Sequence, residues 1–402
     1  MWSAGPRLKS LAGLLTRTLA VPCALSLACA ALPASAQGVV KIGQIEAQTG
    51  ANATYGWMSA QGTALAVAEI NAKGGFEVAG KTYKLDLIQM DTRGEPREAT
   101  VQFRKLMEDK VRFVFGPFLS NVFNAVEPIA NQYNGQFLLF TGATSAHALL
   151  GTPGHDYLIR TWNWDSGENG FGKLMVDYLK KLGAKKVAML FQNDAFGKVA
   201  VDIYTTLFKQ AGIELTVEMF EPGTKDFSAA LAKISAGKPD FLFPGYSDAV
   251  LYDIVRQSTE SGFATRFFIV RGSIAPALKN KDAIDDYIAY IPKYFEDAEK
   301  TDPKVREFVA AYKAHYKRDF PYDQAPLCSS SCYDHVYMLV EAMKAAGSVD
   351  DVAKIRAELF KATHKGVWTI EIAPPGEAAF GFDIVHVKNG GNIEVSRVSP
   401  TK

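Results

Sequence analysis

Short runs of uninterrupted apolar residues, spaced by helix-like stretches, constrain this chain more than any other feature. Residues 113–115, 137–140, 241–243 and 267–270 show no polar alternation. A strand with one wet face alternates. A continuously apolar one is buried on both faces, as parallel strands covered by helices are. Further strand-like runs lie at 39–45, 83–90, 187–191 and 215–220. Helical patterns fall between them, at 57–71, 97–109, 166–182, 197–211, 226–236 and 248–261, and many stop at a glycine such as Gly74, Gly183 or Gly212. The repeated strand–helix–strand order predicts an α/β fold with helices on both faces of parallel sheets.

The rhythm breaks at 151–165, where Pro153-Gly154 and Trp162 and Trp164 occur, and then restarts. This is read as a crossing from one lobe to a second. Residues 287–294 look extended, three helical segments follow at 303–317, 323–346 and 350–363, and the tail from 367 to 398 is strand-like. A chain of 402 residues has room for two cores.

The first 36 residues differ from the rest. Arg7, Lys9 and Arg17 are the only charges, an apolar run covers 19–32, and Ala34-Ser35-Ala36 precedes Gln37. This is the pattern of a secretory signal peptide cleaved after Ala36, which places the mature protein in the periplasm. The apolar run is too short to span a bilayer comfortably. Without the leader's three basic residues, 41 basic side chains face 43 acidic ones, a net charge of −2. That balance offers no basic surface for nucleic acid. Cys328 and Cys332 remain, four apart. A local disulfide and a pair of buried free thiols both fit that spacing in an oxidising compartment.

No nucleophile elbow, P-loop or dinucleotide fingerprint is present, and the six histidines are scattered without ligand spacing. No cofactor or metal is expected, and no enzymatic activity. His147 and His155 read as polar surface. Glu46 and Asp91 end strands and suit turn and cap roles better than a paired-carboxylate role.

Several short segments, in order, carry a family resemblance: Lys41-Ile42-Gly43, Thr49-Gly50, Tyr55-Gly56, residues 68–75, Gly116-Pro117-Phe118-Leu119-Ser120, Pro128, Ala143-Thr144-Ser145, residues 193–197, Lys225-Asp226-Phe227-Ser228 and Cys332-Tyr333-Asp334. Together they resemble the branched-chain amino-acid-binding family of type I periplasmic binding proteins, over essentially the whole mature chain. The resemblance implies two doubly wound lobes joined by three hinge crossovers. Residues 37–158 and 296–363 would form lobe 1; residues 159–295 and 364–402 would form lobe 2. It also implies a ligand cleft that closes by hinge motion, membrane permease subunits of an ABC importer as partners, and a monomer.

In open α/β sheets ligands bind beyond the carboxyl ends of the strands. Ser120, Gly142, Ala143 and Thr144 follow two such strands, where the family holds a ligand carboxylate; plain helix capping is the alternative for Ser120 and Thr144. Phe196, Tyr246 and Arg271 follow strands of the second lobe, and Trp57 is a candidate for lining the cleft. Trp162 suits the cleft or the hinge, and Trp164 suits packing. Arg271 stands where amino-acid receptors of the family often carry an acid for the ligand ammonium. A cation there favours a carboxylate, aromatic or aliphatic, over an amino acid. An amino-acid receptor and a periplasmic ligand sensor are the alternatives.

Overall fold

A computed structural model describes residues 38–50, 53–162, 171–245, 248–263, 266–270, 274–291, 293–322, 326–379 and 381–398. The expected leader lies outside these residues. No helix among them is long and apolar enough to cross a membrane.

The first part of the chain forms β1 (Gly38–Glu46), β2 (Phe76–Val78), β3 (Lys81–Asp91), β4 (Phe113–Phe115), β5 (Leu138–Thr141) and β6 (Leu158–Arg160), with helices α1 (Ala53–Ala72), α2 (Pro96–Glu108) and α3 (Ser120–Ala130) between them. The middle part forms β7 (Lys186–Gln192), β8 (Glu214–Phe220), β9 (Phe241–Gly245), β10 (Arg266–Val270) and β11 (Asp286–Ile291), with α4 (Phe171–Lys181), α5 (Ala195–Ala211), α6 (Ser228–Ala236), α7 (Asp248–Glu260) and α8 (Ala275–Lys279). Then come α9 (Phe295–Thr301), α10 (Pro303–Tyr316), α11 (Pro326–Ala346) and α12 (Val352–Leu359), and finally β12 (Thr363–Lys365), β13 (Thr369–Ala373), β14 (Glu377–Ala379), β15 (Phe382–Lys388) and β16 (Asn392–Val398).

These strands make two sheets, ordered β12-β13-β14-β6-β5-β4-β1-β3-β2 and β16-β15-β11-β10-β9-β7-β8. Their centres are parallel, as the apolar runs predicted. Their margins are antiparallel: β2 on β3, β12 to β14 among themselves, and β15 between β11 and β16. Local chemistry explains the elements. The buried face of α2 is Ala99, Phe103, Leu106 and Met107, a helical spacing, and Pro96 opens it. Asp194 caps α5 by accepting from the Gly197 N–H at 2.8 Å, and Gly212 closes it in a left-handed conformation.

The chain passes between the sheets three times: after β6, between β11 and β12, and between β14 and β15. Residues 364–379 were expected in lobe 2 with the rest of the tail, but β12 to β14 join the first sheet, where Glu377 pairs with Arg160 in register. Only β15 and β16 return to the second sheet. Segments flanking the three passages are packed together. The Phe382 ring lies 4.3 Å from Phe171 and 5.0 Å from Tyr290, centroid to centroid. Buried Asp383 accepts the Tyr294 N–H at 2.8 Å.

The question of the cysteine pair resolves to free thiols on α11. Burial pushes the Cys332 thiol up to about 12, and nearby Glu46 adds to the effect.

Candidate functional site

In the second lobe α5 begins at the carboxyl end of β7. It packs against α3 and the 3₁₀ turn Thr144–Leu149, which begin at the carboxyl ends of β4 and β5 in the first lobe.

The loop after β4 is tightly built. Gly116 has φ +84°, and a Cβ there would lie 2.3 Å from the Ile45 carbonyl oxygen, so only glycine fits. Thr141 ties this loop to the next one: its hydroxyl donates to the Pro117 carbonyl at 2.6 Å and accepts the Ala143 N–H at 3.1 Å. Ser120 is the first residue of α3, after Leu119 at the cap position, and makes no cap of its own. Its hydroxyl instead accepts the Ser145 N–H at 3.3 Å. The structure thus brings together Ser120, Gly142, Ala143 and the backbone of Thr144.

An aromatic wall stands beside them. Tyr55 stacks on Phe118 at 5.1 Å, and Phe118 meets Trp162 edge-on at 5.9 Å. Gly142 makes this possible, because a Cβ would fall 2.6 Å from Phe118 Cδ2 and 2.7 Å from Trp162 Cδ1.

The other candidates fall differently. Phe196 is half-buried on α5, stacked 6.3 Å from Phe191. Trp57 lies in the seam between α1 and α10, with the Arg318 guanidinium 4.2 Å over its ring. Arg318 also donates to Gln61 Oε1 and Tyr312 Oη, each at 2.5 Å. Tyr246, Arg271 and Trp164 lie outside the described residues.

Among the described residues, two acids end strands β1 and β3, Glu46 buried and Asp91 partly exposed. Glu46 ends β1, and its Oε2 accepts the Phe118 N–H at 3.1 Å. Burial raises its carboxyl to about 8, against the opposing pull of that hydrogen bond. Asp91 serves a turn, accepting the backbone N–H groups of Gln48 (2.9 Å), Thr49 (3.2 Å) and Arg93 (2.8 Å) and the Thr49 hydroxyl (2.6 Å). The sequence reading missed Arg160, whose side chain is fully buried. Its Nε donates to the Ala143 carbonyl at 3.2 Å, its Nη1 to the Trp162 carbonyl at 2.8 Å and also to Glu377. The available signal was an arginine ending the apolar run Leu158-Ile159. His155, expected at the surface, is buried and bonds Glu127 at 2.8 Å, while His147 contacts Glu377 at 3.4 Å. No cluster of metal-ligating side chains occurs among the described residues.

A family profile described as "Periplasmic binding protein" matches residues 39–391. The chain belongs to this family, in its branched-chain amino-acid type. The match runs from β1 to the turn before β16, so strands of both sheets of this binding protein fall within it. A Pseudomonas aeruginosa relative, the leucine-, isoleucine-, valine-, threonine- and alanine-binding protein, is 26% identical over 78% of this chain and 80% of its own length. Among solved structures, a leucine-binding protein of Thermotoga maritima has TM-score 0.74 at 23% identity, covering 90% of this chain and 99% of its own. A solute-binding protein of an ABC transporter from Rhodopseudomonas palustris, in complex with 3,4-dihydroxybenzoic acid, has TM-score 0.72 at 23% identity, covering 90% and 98%. At these identities the two structures attest the two-lobed fold.

Proposed function

We propose that this protein is the extracytoplasmic solute receptor of an ABC importer, and that its cleft takes a small carboxylate, an aromatic or aliphatic acid in preference to an amino acid. The observation that carries the reading is the convergence of the α3 start and the turn at 144 beside the Tyr55–Phe118–Trp162 wall. Helix starts present N–H groups and partial positive charge to an anion, and the wall offers a planar apolar surface to the remainder of the ligand. Glu46, raised to about 8 by burial, is largely uncharged at neutral pH and does not repel an anion there. Ser120, Gly142, Ala143 and Thr144 would hold the carboxylate, Phe196 would close over it, and Tyr246 and Arg271 would complete the site from the second lobe. The R. palustris structure, with its benzoic acid derivative, supports an aromatic acid. The P. aeruginosa relative favours the second reading, an amino-acid receptor.

A thermal-shift screen of the chain from Gln37 onward, against benzoates, aliphatic acids and amino acids, tests this. A ligand that binds only the native state raises the melting temperature, by about 2.7 kcal/mol of added stability at a hundredfold excess over Kd. Stabilisation by acids, abolished in Arg271→Ala, is the expected result. Stabilisation by leucine and not by any acid would overturn it.

A further inference from the structure

We propose that Arg160 is a positioning residue for the binding cleft, holding both of its first-lobe backbone walls from beneath; this rests on the cleft reading above. The guanidinium is wholly buried and reaches three separate segments at once. These are the Ala143 carbonyl in the loop after β5, the Trp162 carbonyl at the start of the first passage between lobes, and the Glu377 carboxylate on β14. Glu377 in turn meets His147 of the 144–149 turn at 3.4 Å. The first-lobe features assigned to the ligand connect to this fork through short chains of contact. Ala143 adjoins Gly142, on which Phe118 and Trp162 close. The Ser145 N–H bonds the Ser120 hydroxyl.

The choice of residue supports the assignment. Burying an ion pair costs desolvation that an apolar pair of similar volume would avoid, so such a pair is a poor source of stability. A planar guanidinium does supply several donors in fixed directions, which neither an apolar side chain nor a lysine can reproduce. Arg160 therefore fixes geometry, and the geometry it fixes is that of the cleft.

The test separates positioning from mere structural support. Affinities for benzoate and for leucine are measured by titration calorimetry on wild type, Arg160→Lys and the double variant Arg160→Met/Glu377→Leu. The double variant replaces the pair with apolar groups. It is expected to melt cooperatively, at a temperature lowered by the Ala143 and Trp162 carbonyls left without this donor, and to bind at least about tenfold more weakly, the equivalent of one good hydrogen bond. Arg160→Lys should keep the fold and recover part of the affinity. Wild-type affinity in a folded double variant overturns the proposal. If the double variant does not fold, undiminished affinity in Arg160→Lys does so instead. Loss of leucine binding in a protein that ignores benzoate would uphold Arg160 while sinking the preference for acids. Hydrogen exchange of the ligand-free protein gives an independent readout. The Ala143 and Ser145 amides should exchange faster in Arg160→Lys than in wild type, and unchanged rates there would overturn the proposal whatever the cleft binds.

Discussion

Glu46 shows how one buried acid couples this protein to pH. Among the described residues its carboxyl accepts one hydrogen bond, from the Phe118 N–H, and no basic side chain of theirs contributes to its titration. Burial therefore dominates and raises it from 4.5 to about 8. The folded state then holds a proton that the unfolded chain has released once the pH exceeds its ordinary value. Stability is lost progressively as the pH climbs from about 4.5 to about 8, and no further loss from this group follows above that. Each pKa unit corresponds to about 1.4 kcal/mol, so the accumulated cost is on the order of a few kcal/mol. Glu46→Gln keeps an acceptor for the Phe118 N–H and removes the titration. Its melting temperature should rise relative to wild type between pH 5 and pH 8.5; a difference that stays flat across that range contradicts this account. The sequence places Glu46 at a strand end, as the structure does, but its side chain serves a loop 72 residues away and not a turn of its own. Its burial was not legible, because the groups around it, Gly116 and Phe118 after β4 and Cys332 on α11, come from segments distant in sequence.

At the scale of elements, the seam between α1 and α11 is set by glycine. A Cβ on Gly62 would lie 1.8 Å from the Ser329 carbonyl oxygen, and one on Gly56 would lie 2.3 Å from the Ala47 carbonyl oxygen. Backbone oxygens cannot rotate away, so α1 approaches α11 closely only because Gly62 has no side chain, and approaches the segment after β1 closely only because Gly56 has none. Gly62→Ala should cost at least about 1–3 kcal/mol, the usual range for overpacking, despite the better helix propensity of alanine. Urea unfolding would measure it, and a variant as stable as wild type would show that the seam can relax. The elements most legible in the sequence were those whose pattern is dictated locally. Residues 113–115 and 241–243 read as doubly buried strands because both faces are covered, and α2 read as a helix from its apolar spacing. Their partners were less legible. The strands β12 and β14 have three residues each, and β13 alternates buried and exposed positions. Such a pattern fits the margin of either sheet, and only the pairing of Glu377 with Arg160 decides which. The candidate site was legible in the same uneven way. Ser120 and residues 142–144 were found by their place after strands, whereas Arg160 was hidden because its carboxylate partner, Glu377, lies 217 residues further along the chain.

For the whole molecule, the decisive region is the hinge. Phe382 is fully buried and in ring contact with Phe171 and Tyr290, which flank the other two passages. A single side chain thus joins all three. Phe382→Ala should lose about 3–5 kcal/mol through the cavity it leaves. Because the loss falls at the junction, the single unfolding transition should broaden or split into two as the lobes begin to melt separately. Tryptophan fluorescence and circular dichroism followed together in urea would report this through transitions that no longer coincide. Retention of one sharp transition at the wild-type midpoint would mean that the lobes are coupled elsewhere, for instance where α5 meets α3.

The three passages also bear on how such a chain is made. Neither lobe is a continuous stretch of polypeptide. The first sheet lacks its last three strands until synthesis has gone past residue 379, and Arg160 waits for Glu377 across more than half the length of the chain. While the chain emerges from its amino end, β6 is an open edge and a buried cation has no counter-charge. The first lobe to be made is therefore among the last to be finished, and the nascent protein has to be kept from pairing that edge with a neighbour until almost its final residues are available.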